Sequence, residues 1–218
     1  MTPTPARLAV LLSGSGRTLE NLLDQVAAGR LPVRIVGVVS SRRGVRGVAV
    51  AREAGLPVTV LRRRDFPDAV AHHAAIAEWL RRRRPQIIAL AGYLCYFQRP
   101  DWFAGPVVNI HPALLPAHGG QGMYGDRVHA AVLAAGDRES GCTVHHVDEV
   151  YDHGAIIARQ RVPVRADDDV ASLAARVFAA ECELYPRVLA ALATQVAAQA
   201  SGAGPDATPE ENPDAGAP

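Results

Sequence analysis

The chain has 218 residues, of which 49% are hydrophobic and 21% are charged, and its formal net charge is +1. This balance is ordinary for a globular protein, and the length suits one domain, or one domain with a tail. The near-neutral charge gives no bulk attraction to nucleic acid or membranes, and the absence of lysine excludes Schiff-base chemistry.

The first half of the chain alternates short apolar runs with helical periodicity. Alternation of this kind indicates right-handed β-α-β units and a parallel sheet. The five predicted strands are Arg7–Leu12, Val33–Ser40, Val58–Leu61, Ile87–Ala91 and Val107–Ile110. The helices between them are predicted around Leu19–Val26, with Gly29 as a stop, over Val45–Ala54 and over Pro67–Arg84.

The second half predicts a helix over Arg127–Ala135, strands over Thr143–Val147 and Ile156–Val164, and a closing helix over Val170–Thr194. From about Ser201 the composition turns to Ser, Gly, Pro, Asp and Glu, which bury little surface. We therefore expect an N-terminal extension at residues 1–6, a folded domain at 7–195 and a disordered tail at 196–218.

The three cysteines are too far apart for a disulfide framework or a zinc ribbon; they are Cys95, Cys142 and Cys182. The sequence shows no signal-peptide pattern, and no apolar run approaches the roughly 20 residues that a membrane span needs. We expect a soluble, cytoplasmic protein that binds neither nucleic acid nor membranes.

Gly14 and Gly16 follow the first strand and open a helix, which is a typical arrangement for binding an anion. As a dinucleotide motif it is incomplete, because Leu19 stands at the third glycine position and no acidic residue ends the second strand. A single phosphate ester fits better, and Ser13 and Ser15 are assigned to it. Two alternatives stay open: NADP binding through residues 40–42, and a tight turn without a ligand.

Asn109 and His111 lie two residues apart at the end of the fifth strand, so their side chains share one face. An amide donor beside an imidazole suits acyl transfer to an amine, because one stabilises an oxyanion and the other moves a proton. A carboxylate at Asp152 would orient His111 and raise its pKa. From spacing alone, a structural role is an equally good interpretation of His111, and a turn residue before Gly154 is the favoured interpretation of Asp152. No histidine pair has zinc-ligand spacing, so we expect no metal.

Five segments, taken in order and with their spacing, resemble the phosphoribosylglycinamide formyltransferase family between about Arg7 and Leu192. They are Leu11–Gly16, Ala91–Leu94, Asn109–Pro116, Ser140–His145 and Tyr151–Gly154. The resemblance implies a single-domain formyltransferase fold, in which a mostly parallel, Rossmann-like twisted sheet is flanked by helices. It also implies transfer of the formyl group of 10-formyltetrahydrofolate, as co-substrate, to the amine of glycinamide ribonucleotide in purine biosynthesis, by a monomer or homodimer.

The resemblance assigns roles to individual residues. Catalysis maps onto Asn109, His111 and Asp152, and substrate phosphate binding onto Gly16, Arg17 and Thr18. Other contacts to the ribonucleotide map onto Asn109 and Glu181. Folate binding maps onto Leu94, Cys95, Tyr96, Phe97, Val147, Asp148 and Asp152.

Three departures from the family pattern bear on these roles. Cys95 stands where many members have Arg, and Ala69 stands near a second Arg, for which Arg62–Arg64 are candidate substitutes. The loop His118–Gly125 is longer than in many members, and we expect it either to fold over the ribonucleotide or to form a lid without direct contact.

Transformylases acting on tRNA or nucleotide sugars and formyltetrahydrofolate hydrolases are disfavoured, because they carry further domains. A non-catalytic nucleotide-binding protein or an NADP-dependent reductase would not need the three catalytic residues.

Overall fold

The computed structural model describes residues 4–202, with side chains described for residues 4–199. Within that range, one sheet contains seven strands. They are β1 Ala6–Leu12, β2 Val33–Ser40, β3 Val58–Val60, β4 Ile87–Leu90, β5 Val107–His111, β6 Glu139–His146 and β7 Ile156–Pro163. The α-helices are α1 Arg17–Ala27, α2 Arg46–Glu53, α3 Ala69–Arg83, α4 Asp126–Ala135 and α5 Val170–Gly202, and a short 3-10 turn lies at Arg63–Asp65.

The strand order is β3-β2-β1-β4-β5-β6-β7. Strands β1 to β5 run parallel, whereas β6 and β7 are antiparallel additions at one edge. The chain first moves outward from β1 to β3 and then places β4 on the other side of β1. Ligands of open α/β sheets bind outside the carboxyl ends of the strands at such a reversal. The predicted α/β fold with a mostly parallel sheet is confirmed.

Both faces of the sheet are covered by helices. Leu8, Val10 and Leu12 of β1 pack in one core cluster with residues of α1, α2, α4 and α5. Ala9 and Leu11 pack in a second cluster with α3. Burial on both faces explains why the central strands appear in the sequence as continuous apolar runs.

Most element boundaries lie within one residue of the prediction, but α3 begins later than predicted. Its first residue is Ala69 rather than Pro67, because the Asp68 side chain accepts a hydrogen bond from the Ala71 amide at 2.8 Å and caps the helix. Strand β6 begins earlier than predicted, at Glu139, because Ser140 and Gly141 continue the pairing with β7.

Helix α5 also extends further than predicted, to Gly202. Leu192 and Ala193 are buried in the core, and Val196 packs against it, so the helix still has an apolar face beyond Thr194. Residues 196–202 of the predicted tail belong to this helix, and residues 1–3 and 203–218 lie outside the described residues. Of the described helices, none is both long and apolar enough to cross a membrane.

A proline inside α5 links this helix to α1. Pro186 has no amide hydrogen, so the carbonyl of Cys182, four residues earlier, cannot receive the usual helical hydrogen bond from residue 186. The Asn21 side chain of α1 donates to that carbonyl at 3.0 Å. The two helices are therefore joined by a hydrogen bond at the position where α5 lacks one of its own.

The buried Tyr185 fixes α5 to the sheet. Its hydroxyl lies 2.9 Å from the carbonyl oxygen of Leu90, the last residue of β4, and 3.1 Å from that of Val108, the second residue of β5. Glu181 lies one helical turn before Tyr185, so this anchor also sets where Glu181 stands relative to the strand ends.

Candidate active site

A cavity of about 550 Å³ lies at the carboxyl ends of β1, β4 and β5. Its walls come from the turn after β1, the loop after β4, the end of β5, residues 120–125, the β6–β7 connection and one face of α5. The residues to which the family resemblance assigns a role in catalysis or binding all line this cavity: Gly16, Arg17, Thr18, Leu94, Cys95, Tyr96, Phe97, Asn109, His111, Val147, Asp148, Asp152 and Glu181.

Asn109, His111 and Asp152 come together in this cavity. Asn109 Nδ2 lies 3.3 Å from Asp152 Oδ1, and His111 Nδ1 lies 3.4 Å from Asp152 Oδ2. Asp152 has a backbone φ of +56°, in the left-handed region that Asp adopts more readily than most residues. It is therefore both a turn residue and the partner of His111, which joins the two interpretations that the sequence left open.

His145 also belongs to this cluster, although the sequence analysis gave it no role. It is paired with Asn109 across β5 and β6, and its Nδ1 donates to the His146 carbonyl at 2.8 Å. Its Nε2 lies 3.2 Å from Asn109 Nδ2 and 3.5 Å from Asp152 Oδ1. A neutral His145 accepts from the Asn109 amide, and a protonated one donates to Asp152, so the ring supports one of these two side chains in either state.

Two opposing effects set the pKa of His111. Burial lowers this pKa, and the Asp152 charge and the hydrogen bond to the His118 carbonyl only partly offset the effect of burial. Asp152 therefore raises the pKa of His111, as predicted, but the net pKa in the free protein lies below its usual value. Burial acts to raise the pKa of Asp152, but the hydrogen bond from His145, the His111 charge and the Gly120 amide together lower it. At neutral pH the pair is a carboxylate beside a neutral imidazole.

Gly16 shapes the turn between β1 and α1. It is the N-terminal cap of α1 and has φ +78°, and a Cβ atom there would come 2.5 Å from the Gly47 Cα of α2. Glycine is thus required for backbone conformation and for close packing against α2. The first amides of α1, from Arg17 onward, have no acceptor within the helix, and both Arg17 and Thr18 line the cavity.

The position of Ser13 corrects one sequence interpretation. Ser13 is fully buried, and its hydroxyl lies 2.5 Å from that of Ser41. The same oxygen accepts a hydrogen bond from the Leu94 amide at 2.9 Å. Ser13 therefore does not bind a phosphate; it ties the Gly-rich turn to the end of β2 and to the loop after β4.

Arg17 and Glu181 place opposite charges on the same wall of the cavity. The Arg17 guanidinium stacks over the Phe178 ring of α5, 4.1 Å from its centroid. Burial raises the pKa of Glu181 to about 7, and the positive charge of Arg17 acts against this rise. Glu181 is therefore divided between its protonated and ionised forms near neutral pH.

Aromatic and polar residues form the wall assigned to folate. Tyr96 and Tyr151 meet edge to face with ring centroids 5.9 Å apart. The Tyr93 hydroxyl is buried without a hydrogen-bond partner in the described part of the chain. Burial acts to raise the pKa of Asp148, but hydrogen bonds from His153 and the Val150 amide outweigh it and lower that pKa. Within residues 4–202, no group of three or more His, Cys, Asp or Glu side chains is arranged to hold a metal ion.

Comparison with known proteins identifies the family. The sequence profile of the formyl transferase family matches residues 6–189. The phosphoribosylglycinamide formyltransferase of Haemophilus influenzae is 35% identical over 188 residues, which cover 84% of this chain and 85% of that protein. The chain belongs to the phosphoribosylglycinamide formyltransferase family. The trifunctional purine biosynthetic protein adenosine-3 of Drosophila melanogaster is 40% identical over 191 residues, or 85% of this chain, but this chain spans only 14% of its length.

The fold agrees with the family assignment. The crystal structure of glycinamide ribonucleotide transformylase 1 from Symbiobacterium toebii superposes with a TM-score of 0.81 at 35% identity, covering 88% of this chain and 89% of the other. Membership of the family establishes the chain as an enzyme of the formyltransferase class.

The departures from the family pattern can be located in the structure. Cys95 is a half-buried free thiol in the cavity wall. Arg62 pairs with Asp65 through two hydrogen bonds of 2.5 and 2.7 Å, and none of Arg62–Arg64 lines the cavity. These arginines therefore do not substitute for the family arginine near Ala69 in this conformation. Residues Gly120–Gly125 do line the cavity, as a loop that contacts a ribonucleotide would.

Proposed function

We propose that this enzyme transfers the formyl group of 10-formyltetrahydrofolate to the amine of glycinamide ribonucleotide, giving formylglycinamide ribonucleotide and tetrahydrofolate. The observation that carries the proposal is the convergence of Asn109, His111 and Asp152 within 3.3 to 3.4 Å contacts in one cavity. The same cavity holds the N-terminus of α1 and the loop after β4, so an anionic substrate and a planar co-substrate can meet beside the three residues.

The ribonucleotide phosphate suits the turn after β1. The backbone amides of Gly16, Arg17 and Thr18 lie at the start of α1, where the helix dipole and unpaired N–H groups favour an anion. The Arg17 guanidinium adds a positive charge on the same wall, and its stacking on Phe178 limits its freedom. In the proposal, Glu181 accepts hydrogen bonds from the polar groups of the same substrate.

The cavity also fits a formyl folate. Its volume of about 550 Å³ lies within the range of sites that enclose drug-sized ligands, roughly 300–1,000 Å³. The unpartnered Tyr93 hydroxyl and the facing Tyr96 and Tyr151 rings offer a polar group and aromatic surface to such a ligand. The Leu94 amide is used by Ser13, so the backbone contacts from this loop come from its other groups. When bound, the co-substrate supplies the activated formyl group.

Asn109 stabilises the charge that develops during the reaction. As the amine attacks the formyl carbon, negative charge forms on the formyl oxygen, and the Asn109 Nδ2 hydrogens are donors for it. The present contacts of Nδ2 with Asp152 and His145 are 3.3 and 3.2 Å long, which is loose enough to exchange for a stronger bond to an oxyanion.

His111 moves the proton that the amine must lose. Burial keeps its ring neutral in the free protein. Because Nε2 already donates a hydrogen to the His118 carbonyl, Nδ1 is the ring atom that can accept this proton. An adjacent oxyanion and the Asp152 carboxylate both favour the imidazolium form, which makes the interaction strongest as charge develops. His111 then delivers the proton to the folate nitrogen as the bond from that nitrogen to the formyl carbon breaks.

An assay with and without the acceptor tests the proposal. The purified protein is incubated with 10-formyltetrahydrofolate, and loss of the formyl group from the folate is followed. We expect turnover only when glycinamide ribonucleotide is present, together with formation of its formyl derivative. Turnover without the ribonucleotide would indicate a hydrolase, and the absence of turnover under both conditions would contradict the proposed acceptor.

A further inference from the structure

The loop after β5 touches both members of the His111–Asp152 pair through its backbone. The His118 carbonyl oxygen accepts a hydrogen bond from His111 Nε2 at 2.8 Å. The Gly120 amide donates to Asp152 Oδ2 at 3.0 Å. Between them, a Cβ atom on Gly119 would come 3.3 Å from the Asp152 Cβ. A displacement of this segment would therefore reach both catalytic side chains.

A side-chain contact anchors this segment to the end of α4. His118 Nε2 lies 2.7 Å from Asp137 Oδ2. Asp137 follows Gly136, the C-terminal cap of α4, and its amide donates to the Val132 carbonyl at 3.3 Å, which fixes it to the helix end. His118 has φ +55°, a conformation that a non-glycine residue keeps only where its surroundings hold it. The Asp137 contact is one such restraint.

We infer that His118 and Asp137 are positioning residues, whose side-chain contact holds the loop so that the His118 carbonyl and the Gly120 amide orient His111 and Asp152. This inference rests on the proposed function, in which His111 and Asp152 act on the substrates. Neither side chain is among those that line the cavity, so the effect passes through the loop backbone rather than through contact with substrate.

The His118–Asp137 contact also affects how readily the His111 ring becomes protonated. A carbonyl can only accept, so His111 Nε2 holds a hydrogen and its Nδ1 faces Asp152. The carbonyl and Asp152 favour the protonated ring, whereas burial and the neighbouring His145 and His118 rings oppose it. His129 is a further titratable neighbour, from α4. If the loop shifts, the ring loses an acceptor, and protonation becomes less favourable.

Asp137→Ala tests the inference, because Asp137 lies outside the cavity and is partly exposed. We expect kcat to fall roughly 10- to 100-fold, as is typical when a partner of an active residue is removed, with little change in KM for either substrate. Asp137→Asn keeps an oxygen acceptor for His118 Nε2 and should restore most of kcat. The kcat of His118→Ala should fall as far as that of Asp137→Ala. The double variant should lose no more kcat than either single variant, because all three remove the same His118–Asp137 contact.

Glu139→Ala is the matched control. It removes the exposed Glu139–Arg161 ion pair two residues further along the chain, and it should keep the wild-type kcat. A wild-type kcat in Asp137→Ala would overturn the inference. So would a higher KM at unchanged kcat, since that result would place Asp137 in substrate binding.

An NMR titration of the His111 ring gives a readout without substrate. The ring pKa should be lower in Asp137→Ala than in the wild type and unchanged in Glu139→Ala. A shifted titration in a protein without formyl transfer would support the contact and reject the proposed function. Normal transfer with an unshifted titration and a wild-type kcat in Asp137→Ala would reject the contact alone.

Discussion

Asn109 and His111, for which we propose catalytic roles, lie on one short stretch of β5, on either side of the buried Ile110. Replacing either with Ala removes one donor or proton carrier from the cavity and leaves the strand pairing in place. Loss of one donor to a developing oxyanion costs about 3–4 kcal/mol of barrier, or roughly 100- to 1,000-fold in rate. We expect Asn109→Ala and His111→Ala each to lose at least roughly 100-fold in kcat, with an unchanged circular dichroism spectrum. Near-normal turnover in either variant would remove that residue from the mechanism.

The raised pKa of Glu181 predicts how the stability of the protein changes with pH. Its pKa is raised from 4.5 to about 7, so the folded state holds this proton more tightly than the unfolded state does. The ionised carboxyl therefore costs stability, and the cost is absent below pH 4.5, grows between pH 4.5 and 7 and is complete above that.

Glu181→Gln removes this cost. At pH 8 the variant should be more stable than the wild type by about 1–2 kcal/mol, a value reduced because the side chain faces the water of the cavity. Near pH 4 the two proteins should be equally stable. Urea unfolding at both pH values measures the difference, and an equal change at the two values would show that ionisation of Glu181 is not the cause.

The Asn21 contact operates between elements, because it joins α1 to the carbonyl that Pro186 leaves unpaired in α5. Removing a donor from a partly buried carbonyl costs about 1–3 kcal/mol. Asn21→Ala should therefore lower the unfolding free energy by about that amount and raise the KM for the ribonucleotide, since α1 carries Arg17 and α5 carries Glu181. The exposed Asp24 lies on the same helix, and Asp24→Ala should change neither quantity. Equal effects of the two substitutions would mean that the interhelical hydrogen bond contributes nothing.

The elements that the sequence predicts well are those whose signal is local. Strands β1 to β5 are short apolar runs, and their boundaries follow from the residues themselves. The start of α3 depends on the Asp68 side chain accepting from the Ala71 amide, and the end of α5 depends on packing of Val196 against a distant core. Such errors arise where a cap or a tertiary contact decides the boundary.

The distinction between local signals and contacts made by distant parts of the chain also applies to the residues of the candidate site. Asn109 and His111 could be paired from the alternation of a strand, because both lie in one segment. Asp152, His145 and the Gly120 amide reach them only through the antiparallel addition of β6 and the return of a long loop. Likewise, nothing in the Gly-rich segment distinguishes Ser13, which turns into the core, from the residues that face the cavity. Whether the pKa of His111 lies above or below its usual value also depends on how deeply the ring is buried. The spacing of motifs does not predict that burial.

At the scale of the whole molecule, the site is assembled from segments that lie far apart in the sequence, from the turn after β1 to α5. The strand ends of β1, β4 and β5, the start of α1 and one face of α5 all meet at the cavity. A ligand that bridges them binds the folded chain and not the unfolded one, so it must raise the free energy of unfolding. At a concentration 100 times its dissociation constant, a ligand contributes about 2.7 kcal/mol, which raises the unfolding temperature of a chain of this size by about 5–10 °C.

The rise in unfolding temperature that a ligand causes measures binding separately from the chemical step. Glycinamide ribonucleotide alone, without the folate, should raise the unfolding temperature of the wild type and of His111→Ala by similar amounts, because in the proposed mechanism His111 acts only on charge that develops during transfer. Gly16→Ala should lose the shift, since a Cβ atom at Gly16 meets the Gly47 backbone at 2.5 Å and forces the turn after β1, our proposed phosphate site, to move. Gly29→Ala is the control: Gly29 also has a positive φ, of +69°, but has nothing within 4 Å of the added atom. A shift retained in Gly16→Ala would place the phosphate elsewhere in the cavity, and one absent from His111→Ala would make His111 a binding residue.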